Sequence, residues 1–131
     1  MSHCLDLRVY YEDTDLAGIV DYANYLKFIE RGRTEWLRDL GIDQSALKAE
    51  TGQVFAVRRV EADYLRPARL DDRLQVRTSA CEVGKARIVM AQQVCRGDEV
   101  LFQAQVTIVC LGPNGMAVRI SETLRSAISD G

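Results

Sequence analysis

Three acidic side chains, Glu12, Asp13 and Asp15, stand close together in the stretch YYEDTDLAGIVDYANY near the start of the chain. Like charges at this spacing repel one another, so a turn that served stability alone would gain little by collecting them. Two kinds of role can account for them. They can form and solvate a bend, or one of them can take part in a reaction.

Asp15 has the position that best suits chemistry, because it precedes the small, flexible segment LAG and a helix predicted to begin near Tyr22. Gly18 lets a ligand approach the backbone closely. The first turn of a helix offers unpaired N–H groups and the positive end of its dipole. A carboxylate facing such donors suits acyl transfer, since the donors stabilise an oxyanion while the carboxylate activates water or attacks the carbonyl. A turn or cap role is the commoner one for such a residue, and spacing alone leaves it open.

The neighbouring polar residues have more ordinary explanations. Asp13 and Thr14 are interpreted as turn formers, since short polar side chains bond nearby backbone in turns. Asp21 or Asn24 is expected to cap the helix by accepting from its first free N–H groups. Asp15 differs from them in its place before the flexible segment.

A strand and a long helix are predicted to position this turn. Residues 5–11 alternate between apolar and polar, which indicates a half-buried strand. The period then becomes helical, and Gly41 is placed to end the helix. Its apolar face carries Tyr25, Phe28, Ile29, Gly32, Trp36 and Leu40. Gly32, in the middle of that face, indicates close approach to another backbone, so the helix is predicted to lie flat against a sheet.

The remainder is predicted to be mostly β structure after a loop over residues 42–53. RGDE between two alternating runs indicates a hairpin, and Ser121 followed by Glu122 indicates a short terminal helix. Strands are expected over residues 55–65, 73–83, 87–95, 100–111 and 116–119. This order predicts an α+β fold in which an antiparallel sheet of five or six strands wraps around one long central helix, in a single domain over residues 1–131. The run at 100–111 is apolar on both faces, so a homo-oligomer is expected.

Composition narrows the classes of function. The 131 residues carry a formal net charge of -2, which argues against a nucleic-acid binder, and the start of the chain does not have the pattern of a secretory signal. No run approaches the ~20 apolar residues of a membrane helix. A zinc site is not expected, because the only histidine is His3 and no two cysteines are closely spaced. A reduced, cytoplasmic protein without a structural metal is predicted, with unpaired Cys4, Cys81, Cys95 and Cys110.

Two long stretches resemble one family. The first, YYEDTDLAGIVDYANYLKFIERGRTEWL, is similar to the signature of the hotdog-fold acyl-CoA thioesterases of the 4-hydroxybenzoyl-CoA thioesterase type, in particular their YbgC (Tol-Pal-associated) branch. The second, VRRVEADYLRPARLDDRLQV, resembles the same branch. The resemblance implies dimers that share a continuous sheet, often assembled into tetramers. It also implies active sites at the dimer interface, with surface basic residues holding the CoA phosphates.

The resemblance also assigns roles within the turn. The second Asp of the family's DxD turn is the catalytic carboxylate and falls on Asp15. The glycine that follows it falls on Gly18, and the helix start that polarises the thioester carbonyl falls near Tyr22. Many members of the branch have VVYHASY where this chain has IVDYANY, so Tyr22 replaces a histidine. The benzoyl-CoA enzymes carry a tyrosine there, so this departure bears on acyl specificity.

The predicted function is hydrolysis of a small or aromatic acyl-CoA to a free acid and CoA in the cytoplasm. Asp15 would be the nucleophile or the general base, and N–H groups of residues 17–22 would stabilise the oxyanion. Gly18 and Tyr22 would border the substrate, and no cofactor is needed beyond the CoA of the substrate itself. Lys85 and Arg87, in the turn VGKAR, are candidates for gripping the CoA phosphates, with an ordinary solvated hairpin as the alternative.

Other interpretations are kept beside this one. Glu35, on the helix, is expected to form an ion pair with Arg31 or Arg38 and not to act as a catalytic acid. One alternative function is a dedicated hydrolase of a dihydroxynaphthoyl- or hydroxybenzoyl-type CoA. The other is a non-catalytic acyl-thioester-binding or scaffold protein of an envelope complex or acyl carrier protein. The suggested partners are a second copy of the chain, the Tol-Pal system or an acyl carrier protein.

Overall fold

An antiparallel sheet wraps around one long helix in the computed structural model, which describes residues 2–130. The helices are α1 (Asn24–Asp39), α2 (Gln44–Thr51) and α3 (Glu122–Asp130). The strands are β1 (His3–Arg8), β2 (Val54–Tyr64), β3 (Arg73–Val83), β4 (Ile88–Arg96), β5 (Glu99–Leu111) and β6 (Ala117–Val118). The sheet order is β1-β3-β4-β5-β2, and the short β6 pairs with the end of β5. The predicted α+β architecture is confirmed.

The close approach predicted at Gly32 is present. A Cβ placed there would lie 2.5 Å from Cγ1 of Val76 on β3, so only glycine lets α1 lie this near the sheet. Beside it, the buried Gln92 donates from Nε2 to the Ile29 carbonyl at 2.8 Å. The same amide receives a bond from Arg33 Nη1 at its Oε1, 2.9 Å away. These contacts fix the position of α1, and therefore of the turn before it.

Two predicted elements differ from the structure. The strand expected over residues 5–11 ends at Arg8, and a 3-10 turn (Tyr11–Asp13) follows, because the Asp13 carboxylate accepts from the Tyr10 N–H and bends the chain. The loop expected over residues 42–53 contains α2. Asp43 caps this helix by accepting from the Ala46 N–H at 3.0 Å, and no residue of α2 is buried, so its apolar pattern was weak.

The middle of β5 is not apolar on both faces, contrary to the prediction. Its inner positions there are buried, whereas the outer ones are Gln103, Gln105 and Thr107. Exposed apolar side chains lie instead on β2, where Val57, Val60 and Tyr64 are 46%, 38% and 48% exposed. Because β2 has only β5 as a neighbour, one edge of it is unpaired among the described residues. The four cysteines are free thiols.

Candidate active site

Asp13 ties together the segments that meet at the turn. Its side chain is buried, with 7% exposed, and its two carboxylate oxygens accept from the Tyr10 N–H and from Asn24 Nδ2, both at 2.8 Å. Its backbone carbonyl accepts from the Asp21 N–H at 2.9 Å. Asp13 is therefore the turn former that the sequence predicted. The capping prediction for Asp21 or Asn24 is wrong, because Ala23 is the N-cap residue of α1 and no side chain caps it.

Asp15, by contrast, is exposed, and its carboxylate is only partly engaged. Oδ1 accepts from the Ala17 N–H at 2.9 Å, while Oδ2 has no donor among the described residues. The backbone closes a tight loop, since the Gly18 N–H donates to the Asp15 carbonyl at 3.0 Å. Gly18 has φ +80°, and a Cβ there would meet no atom within 4 Å. A glycine is favoured at this position by the left-handed backbone and not by crowding.

A cavity of about 270 Å³ lies beside Asp15. The turn supplies part of its wall, and the start of α1, the end of β2 and the segment after β2 supply the rest. It is lined by Asp15, Ile19, Val20, Tyr22, Tyr25, Tyr64, Leu65, Arg66 and Pro67. The structure thus brings the predicted residues Asp15 and Tyr22 to one cavity. Gly18, three residues beyond Asp15, shapes the turn without lining the cavity.

Few backbone donors of the turn are free. Within residues 17–22, the N–H groups of Ala17, Gly18, Val20 and Asp21 all have acceptors. Those of Ile19 and Tyr22 have none among the described residues, and both residues line the cavity. Tyr22 directly precedes the N-cap of α1, so its N–H lies at the positive end of the helix dipole.

Three aromatic side chains, Tyr22, Tyr25 and Tyr64, line one side of the cavity, and the buried Phe102 packs behind them. Tyr25 stacks on Phe102 with ring centroids 5.1 Å apart, and Tyr64 contacts Tyr22 edge-on at 6.2 Å. The Tyr25 hydroxyl accepts from the Ala68 N–H at 3.1 Å. Burial raises the pKa of Tyr25, and burial together with Tyr22 and Asp21 raises the pKa of Tyr64, so both phenols are neutral at pH 7. Of these side chains, the sequence pattern indicated only Tyr22 as a residue of the site.

Arg96 holds the segment that closes the cavity after β2. Its guanidinium donates from Nη1 to Asp72 Oδ2 at 2.7 Å and from Nη2 to Glu99 Oε1 at 2.8 Å. Asp72 also accepts from the Arg69 N–H at 2.9 Å, and Arg66 pairs with Glu99 at 3.5 Å. This network positions residues 66–72, whose first members line the cavity. Nothing in the sequence pattern pointed to it.

Lys85 and Arg87 lie in the turn between β3 and β4, away from Asp15 of the same protomer. Arg87 pairs with Glu82 at 3.6 Å, and the Lys85 carbonyl accepts from the Ile120 N–H at 2.7 Å. Asp15 lies near the other end of β3, and an 11-residue strand spans about 35 Å. Within one protomer the structure does not bring these residues together, and their contact with CoA phosphates stays a prediction.

Glu35 pairs with Arg38, as expected. Among residues 2–130, no group of three histidine, cysteine, aspartate or glutamate side chains is arranged to hold a metal ion. No helix in this part of the chain has the length and apolar character needed to cross a membrane.

Comparison with known proteins identifies the family. The model of the thioesterase superfamily matches residues 17–103, beginning two residues after Asp15. The acyl-CoA thioesterase YbgC of Haemophilus influenzae is 44% identical over 105 residues, which cover 80% of this chain and 77% of that protein. The acyl-CoA thioester hydrolase YbgC of Escherichia coli O6:H1 is 41% identical over 114 residues, covering 86% and 84%.

The fold agrees with solved structures of the same class. The crystal structure of a probable thioesterase from Bartonella henselae has a TM-score of 0.89 at 35% sequence identity, covering 92% of this chain and 100% of that one. The helix-in-sheet architecture described above is therefore the hotdog fold. By family model, curated relatives and fold alike, the chain belongs to the thioesterase superfamily and, within it, to the YbgC acyl-CoA thioesterases.

Proposed function

We propose that this thioesterase hydrolyses small or aromatic acyl-CoA substrates at Asp15. The observation that carries the proposal is that the free carboxylate oxygen of Asp15 and the free N–H of Tyr22 belong to residues lining the same cavity. A carboxylate and an unoccupied backbone donor beside one cavity are what acyl transfer to water requires.

The thioester carbonyl would accept a hydrogen bond from the Tyr22 N–H. In one route, Asp15 Oδ2 takes a proton from a water molecule as that water attacks the carbonyl carbon. In the other, Oδ2 attacks the carbon itself, and water then cleaves the resulting anhydride. Both routes pass through a tetrahedral oxyanion and release CoA as the thiolate. In another hydrolase, removing one hydrogen-bond donor to the oxyanion raises the activation free energy by about 3–4 kcal/mol.

The lining of the cavity supports a small or aromatic acyl group. Apart from Asp15 and Arg66, the wall is made of aliphatic residues, a proline and three tyrosines. Tyr22 and Tyr64, which are 70% and 48% exposed, both line the cavity and contact each other edge-on, and aromatic pairs contribute about 0.5–1.5 kcal/mol beyond burial of area. A cavity of about 270 Å³ gives little room for a long alkyl chain.

The unpaired edge of β2 supports a homodimer in which two β2 strands extend one sheet. Such pairing would satisfy the free backbone groups of that edge and cover Val57 and Val60. It would also place a second copy beside Tyr64 and Leu65, on the open side of the cavity. Tetramers, a cytoplasmic location and association with the Tol-Pal system or an acyl carrier protein stay proposals drawn from the resemblance.

Measuring thiol release from short, long and aromatic acyl-CoAs tests the function. We expect turnover of short and aromatic substrates by the wild type and none by Asp15→Asn, which keeps the shape of the turn. Glu12→Gln, in the same turn, is the matched control and should retain turnover. Wild-type-like turnover by Asp15→Asn would refute the assignment of Asp15. Binding of acyl-CoA without release of any thiol by the wild type would instead favour the non-catalytic scaffold.

A further inference from the structure

The turn that carries Asp15 is bonded to the chain after β2 at two consecutive residues. Val20 donates its N–H to the carbonyl of Ala68 at 2.8 Å, and Ile19 forms an antiparallel β-bridge with Arg69. The Asp15 N–H in turn donates to the carbonyl of Ile19 at 2.9 Å. Ile19 and Val20 therefore link the residue proposed to react to the chain that follows β2.

That part of the chain, residues 68–72, makes a tight turn of its own, and we call it the supporting segment. The Asp72 N–H donates to the Arg69 carbonyl at 3.1 Å, and between these two residues Asp71 has φ +70°. Within residues 2–130, Asp71 is the only residue other than glycine with a positive φ. A left-handed backbone is unfavourable for a residue with a side chain, so it persists only where neighbouring contacts hold it. The supporting segment therefore needs contacts from outside itself.

Arg96 of β4 supplies such a contact. One carboxylate oxygen of Asp72, Oδ2, accepts from the Arg69 N–H at 2.9 Å and from Arg96 Nη1 at 2.7 Å. The second of these bonds joins two ionised groups, and such bonds are stronger than neutral ones. Arg96 Nη2 also donates to Glu99 at 2.8 Å, which fixes the orientation of the guanidinium. The Arg96–Asp72 bond therefore anchors the supporting segment to the sheet.

The cavity wall just before the supporting segment has a second, independent attachment. The N–H groups of Leu65 and Arg66 both donate to the carbonyl of Leu101 on β5, at 2.9 and 3.1 Å. These backbone bonds involve no atom of Arg96. Loss of the Arg96 anchor would thus loosen the supporting segment and the turn bonded to it, while the backbone of Leu65 and Arg66 stays in place. Binding of the substrate along this wall and alignment of the reacting carboxylate depend on different contacts.

From these contacts we propose that Arg96 is a positioning residue for Asp15. It acts through Asp72 and the supporting segment, which hold Ile19 and with it the backbone of Asp15. The inference rests on the proposed function, since Asp15 has to be the reacting group. A misplacement of about 1 Å can cost an enzyme roughly 100-fold in rate. Because Arg96 does not line the cavity, its contribution is to kcat and not to KM.

Steady-state thiol release from an acyl-CoA measures this separation. Asp72→Asn keeps an acceptor for the Arg69 N–H but removes the charge that pairs with Arg96. For this variant we expect kcat to fall about tenfold or more, with KM within about twofold of the wild type. Arg96→Gln should give a similar fall. The double variant should be no slower than the slower single variant, because both changes break the same bond. Arg38→Gln, which breaks an ion pair with Glu35 on α1, is the matched control and should leave kcat unchanged.

The other kinetic outcomes would overturn the inference. A rise in KM with kcat retained would assign Arg96 to the cavity wall. Additive losses in the double variant would show that Arg96 does not act through Asp72, and an unchanged kcat would show that it does not act on the reaction. Circular dichroism checks folding at the assay temperature. If Arg96→Gln does not fold, because it also loses the Glu99 bond, Asp72→Asn carries the test.

Amide hydrogen exchange measured by NMR tests the support of the turn without any need for activity. In Asp72→Asn, the N–H groups of Asp15 and Val20 should exchange faster than in Arg38→Gln, while those of Leu65 and Arg66 should exchange at the same rate in both. Equal rates at Asp15 and Val20 would overturn the inference, as would an equal acceleration at all four positions, which indicates a general loss of stability. If the wild type releases no thiol, the proposed function fails, and this measurement still decides whether Arg96 holds the turn.

Discussion

Asn24 donates a buried hydrogen bond of 2.8 Å to the carboxylate of Asp13, and this bond separates the roles of two acids that stand two residues apart. The Asp13 carboxylate accepts from the Tyr10 N–H and from the Asn24 side chain, so its charge serves the folding of the turn. Asp15 keeps one oxygen free at the cavity. Of these two neighbouring acids, Asp13 therefore has a structural carboxylate, and Asp15 has one that is available for chemistry.

Replacing Asp13 should destabilise the protein. Asp13→Ala removes the acceptors of the Asn24 side chain and of the Tyr10 N–H, so we expect a loss of about 2–3 kcal/mol in the free energy of unfolding. Urea denaturation measures it. Asp15→Asn is the comparison, because asparagine still accepts from the Ala17 N–H, and its denaturation midpoint should match the wild type. Equal midpoints for Asp13→Ala and the wild type would show that the buried bonds contribute nothing.

Periodicity predicted most of the fold, because α1, β3 and β5 each bury one face. The helix α2 was missed because none of its residues is buried. It begins at the Asp43 cap and ends at Gly52, where φ is +71°. Local sequence could not separate Asp13 from Asp15 either. The distinction depends on Asn24, eleven residues away along the chain, coming into contact with only one of them.

The residues that reach the cavity from distant segments were harder to predict than Asp15 and Tyr22. Asp15 and Tyr22 belong to one local stretch, which a family resemblance can identify. Tyr64 comes to the cavity from the end of β2, and Arg96 acts on it through Asp72 from a third segment. Such contacts depend on strand register and on the path after β2, which hydrophobic patterns do not specify.

Gly32→Ala should weaken the packing of α1 on the sheet. The added methyl group would lie 2.5 Å from Val76 Cγ1, so the helix or the strand must move, at a cost of about 1–3 kcal/mol. Thermal denaturation should show a lower melting temperature. Lys27→Ala, at an exposed position of the same helix, is the control and should change it little. A melting temperature at or above that of the wild type would contradict the close approach.

We expect the aromatic ring of Tyr64, and not its hydroxyl, to contribute to kcat/KM for an aromatic acyl-CoA. Tyr64→Phe keeps the edge contacts with Tyr22 and Tyr25, so kcat/KM for an aromatic acyl-CoA should stay near the wild-type value. Tyr64→Ala should lower it by up to about tenfold, with a smaller effect on a short aliphatic substrate. Circular dichroism checks that both variants are folded. Equal losses in the two variants would assign the effect to the hydroxyl.

Val60→Glu should separate the protomers if two β2 strands pair across the unpaired edge. Val60 is an inner-face residue of β2 that is 38% exposed in one protomer, so a dimer would bury it and an added carboxylate would be forced out of water. Sedimentation velocity should show a dimer for the wild type and a monomer for the variant. Gln105→Glu adds the same charge on the outer face of β5 and should leave the dimer intact. Because the second copy would also cover the open side of the Asp15 cavity, thiol release should fall together with dimerisation. A monomeric variant with wild-type turnover would show that each cavity is complete within its own protomer.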